Sequence, residues 1–73
     1  MDSEKSYQKL LAKIASNIKS FRERAKLTQE QMAEHGFNYR HYQRLESGKH
    51  SPSLYTLHRL SKMFKVDIDV FFS

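Results

Sequence analysis

Seventy-three residues, 38% hydrophobic and 29% charged, make one small domain, near the size at which a single core supplies only a few kcal/mol. With no cysteine, neither a disulfide nor a cysteine–histidine zinc site staples the chain, so the fold must rest on helix packing and self-association. No apolar run approaches the roughly 18 residues of a membrane span and the N-terminus lacks a signal-peptide core, while a formal charge of +5 and a pI near 9.7 point to an anionic partner.

Residues 1–5 are polar and read as a frayed end. From Ser6 an amphipathic helix is expected, capped by Ser3 or Ser6. Tyr7, Leu10, Leu11, Ile14, Ile18, Phe21 and Ala25 fall on one face, while Lys9, Lys13, Lys19 and Arg24 turn away from it. Arg22 stands at the margin of the apolar stripe. By phase alone it either snorkels to water or pairs with Glu46, the acid that flanks Tyr42 on the buried side of a later helix.

Leu27 to Gly48 reads as two short helices joined by a turn. Thr28 is placed to cap the first, near 29–35, with Gln31 as its reciprocal partner in a capping box. Gly36 breaks that helix. Asn38 caps the second, 39–47, and Gly48 ends it in the left-handed conformation. At about 100° per residue, Tyr42 and Leu45 share one face, and Arg40, Gln43, Arg44 and Ser47 share the other. Pro52 then excludes a continuous helix. Ser53 caps a fourth, in which Leu54, Leu57, Leu60 and Phe64 face inward and His58, Arg59 and Lys62 face outward. Asp67 caps a short fifth, 68–72. Five helices and no strand pattern give a compact all-α fold, with no internal repeat, linker or low-complexity segment.

Leu27-Thr28-Gln29-Glu30, Met32-Ala33-Glu34, Leu45-Glu46-Ser47-Gly48-Lys49, Ser51-Pro52-Ser53-Leu54 and Thr56-Leu57 together resemble the phage-repressor/Cro type of helix-turn-helix domain. The resemblance runs from about Ile18 to Phe72. It implies a five-helix, lambda-repressor-like fold over residues 1–73, an internal ion pair between Arg22 and Glu46, and binding of double-stranded DNA. One feature departs from the pattern: the helix alanine and turn glycine usually stand four apart, whereas Ala33 and Gly36 are three apart. One residue is thus missing before the turn, which bears on the angle at which the second helix meets DNA.

The candidate interface divides by chemistry. Base edges suit Arg40 and Arg44, whose guanidinium forks match guanine, and Gln43, whose amide matches adenine; Tyr39 lies at the start of the same helix. Phosphates suit Gln29, Asn38, Ser47, Lys49 and His50, together with the free amides opening the first of the paired helices. By composition alone, Arg40, Gln43 and Arg44 read more simply as a solvated face, and it is the surrounding motif that favours the reading role. The spacings of His35, His41, His50 and His58 match no common metal-ligand set, and His41 and His50 are better read as pH-sensitive auxiliary contacts. There is no phosphate-cradling glycine loop and no nucleophile beside a base. No enzymatic activity, cofactor, metal, membrane or small-molecule ligand is therefore expected.

The C-terminal run carries more apolar surface than one short helix buries. Val66, Ile68 and one of Phe71 and Phe72 are expected to complete the core, and the homodimer interface is sought among Val70, Phe71 and Phe72, as relatives of this type pair through this region. The expected function is that of a cytoplasmic transcriptional regulator, a phage-type repressor or restriction–modification controller, occupying an operator as a homodimer. The alternative is an antitoxin-like protein-interaction module with DNA binding secondary.

Overall fold

A computed structural model describes residues 2–73. Three α-helices and two 3-10 segments follow in order: α1 (Ser3–Arg24), a 3-10 segment (Glu30–His35), α2 (Tyr39–Ser47), α3 (Leu54–Phe64) and a C-terminal 3-10 segment (Ile68–Phe72). No strand occurs among the described residues. The architecture is all-α, with two of the five expected helices wound as 3-10.

α1 starts earlier than its serines suggest. Asp2 is the cap, its Oδ1 accepting from the amides of Glu4 at 3.0 Å and Lys5 at 3.4 Å, so residues 3–5 are helical. Met1 lies outside the described residues. Leu11, Ile14, Ala15, Ile18 and Arg22 form the buried face. Tyr7, Leu10 and Ala25 stay exposed. A helix of 22 residues runs about 33 Å, longer than the 24 and 20 Å transverse extents of the molecule. Its first turns outreach the elements that would cover them.

The capping box forms as read: Thr28 Oγ1 accepts from Gln31 N at 3.1 Å, and Gln31 Oε1 accepts from Thr28 N at 2.8 Å. The segment that follows winds as 3-10 rather than α. Six residues span about 12 Å at a 3-10 rise of about 2.0 Å, against about 9 Å as an α-helix. The tighter winding offsets the length lost with the missing residue. Gly36 closes it at φ +88°. Gly36 N donates to Ala33 O (3.1 Å) and Phe37 N to Met32 O (3.4 Å), which is the Schellman arrangement, with Met32 and Phe37 making its apolar contact in the core.

Asn38 Oδ1 accepts from His41 N at 3.0 Å and caps α2. Gly48 ends it at φ +77°. A Cβ at Gly48 would meet Ala12 Cα at 3.4 Å, an ordinary contact distance, so it is the left-handed backbone that favours glycine here. Ser53 Oγ caps α3 by accepting from Thr56 N at 3.0 Å. α3 packs against α1 and the C-terminal 3-10 segment and buries Leu57 and Leu60 in the core, but Leu54 is 73% exposed and not a core residue. It lies in the first turn, beyond the reach of neighbouring elements.

The C-terminal segment corrects two further expectations. Asp67 makes no side-chain cap. Phe71 is fully buried, edge-on to Phe21 at 5.9 Å, while Phe72 remains 43% exposed. Asn17 Nδ2 donates to Phe71 O and Ser73 O, each at 3.0 Å, and draws this end onto α1. Phe71 joins Ile18, Met32, Tyr42, Leu45 and Leu60 as the largest fully buried side chains.

Candidate nucleic-acid interface

Tyr42 and Leu45 fix the inner side of α2, and Glu46 secures it. Arg22 Nε donates to Glu46 Oε2 at 2.6 Å and Nη2 to Oε1 at 3.1 Å, while Nη1 donates to Leu27 O. Gln29 Nε2 adds a third donor to Glu46 Oε1 at 3.0 Å. Arg22 of α1 and Gln29 thus converge on one carboxylate of α2, and Arg22 also ties in the loop at Leu27. Burial by itself raises the Glu46 pKa. Hydrogen bonds from its neighbours, Arg22 foremost, and the Arg22 charge outweigh burial and hold it below the ordinary value of 4.5. The hydrogen bond to Glu46 raises that of Arg22. The Tyr42 hydroxyl lies buried here without a hydrogen bond of standard geometry. Burial and the Glu46 carboxylate push its ionisation far above the usual phenol range.

The outer side of α2 is open. Arg40, Gln43, Arg44 and Ser47 surround a shallow concavity, and the two arginines have no ion-pair partner among the described residues. Gln43 Nε2 donates to the Tyr39 hydroxyl at 3.0 Å, one turn apart. That bond steadies Gln43 while leaving its carbonyl oxygen and one N–H to face outward.

The candidate phosphate contacts differ in freedom. The side chain of Lys49 is exposed, while its amide donates to Ser47 Oγ at 3.2 Å. Asn38 commits its carbonyl oxygen to the cap and keeps its amide nitrogen outward. The His50 ring sits edge-on to His41, 5.0 Å between centroids. The Ser47 hydroxyl donates to Arg44 O at 2.6 Å at the end of α2, so in the unbound chain its proton is already engaged. Gln29 is likewise drawn inward, because its amide nitrogen serves Glu46 first. The amides opening the 3-10 segment are partly consumed by the capping box. Val70 is half-buried against the core, Phe72 is exposed, and Phe71 leaves the candidate dimer surface for the core.

Arg59 was not anticipated. Helical phase places it outward, yet it folds back over Phe37 and bonds the turn before α2. No spacing rule signals a bond between residues 23 apart in sequence.

A family model described as Helix-turn-helix (HTH_3) matches residues 18–71. The chain belongs to this helix-turn-helix family. At that level it is a DNA-binding transcription regulator of the Cro/C1 type, and the family is regulatory rather than enzymatic. Among curated proteins and among solved structures, no significant match was found. The helix-turn-helix match begins at Ile18, so the first four turns of α1 precede it. Among the described residues no helix is long and apolar enough to cross a membrane, and no cluster of metal-ligating side chains occurs.

Proposed function

We propose that the protein recognises a specific operator in double-stranded DNA as a homodimer and regulates transcription by occupying it. One observation carries this reading. Arg40, Gln43 and Arg44 crowd the open face of a nine-residue helix whose opposite face is locked by Tyr42, Leu45 and the Glu46 network. A short helix held rigidly on one side and presenting guanidinium and amide groups on the other fits the major groove. Arg40 and Arg44 would take guanine O6 and N7 as bidentate donors. Gln43 would read adenine with its steadied amide, and Tyr39 would border the same bases. Lys49, Asn38 and His50 would grip the flanking phosphates, which sets register without reading sequence. No cofactor enters this mechanism.

The C-terminal face supports pairing. Val70 lines a shallow groove with Lys65, Val66 and Asp67, beside exposed Phe72. In a two-fold contact the same patch would meet itself, with Val66, Val70 and Phe72 bringing its apolar surface and Lys62, Lys65 and Asp67 at its margin. The antitoxin-like reading needs a free wrapping segment. The candidates are the N-terminal residues and the last few: residues 3–13 belong to α1 with Leu11 buried, and Phe71 is buried in this chain's own core.

The test is a selection from a random duplex library, followed by binding of variants across a salt series. Arg44→Ala is expected to flatten the selected motif at one position per half-site. Lys49→Ala is expected to keep the motif at lower affinity, with the salt slope shallower by about one. If Arg40→Ala and Arg44→Ala lower the affinities for selected and scrambled duplexes equally, α2 is an electrostatic surface and not a reader.

A further inference from the structure

Arg59 belongs to α3, yet its head group is spent on the turn of the helix-turn-helix. Its guanidinium carbon lies 4.3 Å from the Phe37 ring centroid and 6.0 Å from that of Tyr55. Nη2 donates to Gly36 O at 3.2 Å and to His35 O at 3.4 Å. Those carbonyls close the 3-10 segment, where the helix end is negative and a cation is favoured. A Cβ added to Gly36 would stand 3.0 Å from Nη2, so turn and guanidinium are fitted to one another. The contact continues into the reading helix: Phe37 packs edge-on against Tyr42 with centroids 5.9 Å apart, and Asn38, the α2 cap, follows Phe37 directly.

We infer that Arg59 is a positioning residue for DNA reading: from α3 it clamps the turn at Gly36 and Phe37 and sets the angle at which α2 enters the groove. This rests on the operator reading proposed above. A planar guanidinium stacks on Phe37 and reaches the turn carbonyls at the same time. A lysine ammonium keeps the charge but lacks the planar fork. The Glu46 network pins α2 from the opposite side, near its C-terminus. Without Arg59 the helix remains attached there and through Tyr42, while the turn leading into its N-terminal end, which carries Tyr39 and Arg40, loses its tie to α3 and the entry angle shifts.

The ratio of affinities for the selected and a scrambled duplex tests this, because it does not depend on the fraction of protein folded. Arg59→Gln and Arg59→Lys are each expected to lower that ratio about tenfold, the scale of one misdirected base contact. Scrambled-duplex affinity per folded molecule and the salt slope should hold. If both affinities fall together, the slope becomes shallower by about one and Arg59→Lys restores binding, Arg59 is a phosphate contact and the inference is overturned. An unchanged ratio with a lowered melting temperature assigns it to stability alone and also overturns it. A wild-type protein that prefers no sequence overturns the operator reading, and this inference with it. A specific wild type whose variants are equally specific overturns only the role of Arg59.

Discussion

Arg22 and Arg44 stand on opposite sides of the reading helix and show how position divides one chemistry into two tasks. Arg22 is 8% exposed, and each nitrogen of its guanidinium donates to Glu46 or to Leu27 O. Arg44 is exposed on α2, beside Arg40 and Gln43. The buried arginine makes a frame by joining α1 to α2, and the exposed one keeps its hydrogen-bonding capacity for a partner. Phe71 and Phe72 repeat the contrast at the C-terminus, one fully buried and its neighbour 43% exposed. Charge and hydropathy are the same within each pair, and what differs is the set of neighbours.

Removing one member of the ion pair should produce the largest effect. Arg22→Ala or Glu46→Ala leaves a buried charge unpaired and should cost about 3–5 kcal/mol, enough to unfold a domain of this size. Replacing both with apolar residues should cost much less than the two single changes summed. Chemical denaturation of the three variants measures it, and losses that add and stay below about 1 kcal/mol each would mean that the pair behaves as a surface contact.

The phenylalanines come next. Phe71→Ala should cost about 3–5 kcal/mol through the cavity it opens. Phe72→Asp should leave the melting curve nearly unchanged while lowering self-association, and operator affinity with it. Sedimentation at high concentration decides the second half. A wild type that remains monomeric there rules out pairing through this face.

The pH dependence sharpens the contrast from the electrostatic side. Glu46 has its folded pKa below the ordinary 4.5, so its contribution to stability is fully present above that value and is lost as pH falls through the lower folded pKa. Arg22, whose pKa is raised by its hydrogen bond to Glu46, stays charged throughout the acid range. Urea unfolding between neutral pH and pH 3 should therefore show an acid limb that Glu46→Gln flattens. An equally steep limb in that variant would place the lost stability on other carboxylates.

The smallest change in stability is expected at the exposed arginine. Arg44→Ala should shift unfolding by no more than about 0.5 kcal/mol, although it should cost about 1–3 kcal/mol in operator binding. A large loss of stability from this variant would abolish the distinction between framing and reading arginines.

Much of the site was legible because its signals are local. Thr28 with Gln31, Asn38 before α2 and Ser53 before α3 each act within three residues of themselves, and side chain and spacing suffice to state the bond. Other helix ends gave no such sign. α1 and α3 end in the Schellman arrangement with Lys26 and Lys65 at φ +60° and +58°, positions where glycine or asparagine is the usual signal. The amphipathic period placed Leu54 and Phe64 on the same stripe as Leu57 and Leu60, but period describes direction alone. Leu54 points along that direction past the edge of the molecule.

By itself the sequence determined the all-α class, the capped pair of short helices, the inward Tyr42 and Leu45, and the outward Arg40, Gln43 and Arg44, because helical periodicity and caps are properties of neighbours in the chain. Only the tertiary structure decided the 3-10 winding before Gly36, the burial of Phe71 under Asn17, the inward use of Gln29 and the folding of Arg59 over Phe37. The last three depend on atoms far apart in sequence, and the winding on how a shortened segment fits between its neighbours. Burial and long-range hydrogen bonds are set by which surfaces meet, and no local pattern encodes where an element runs out of neighbours.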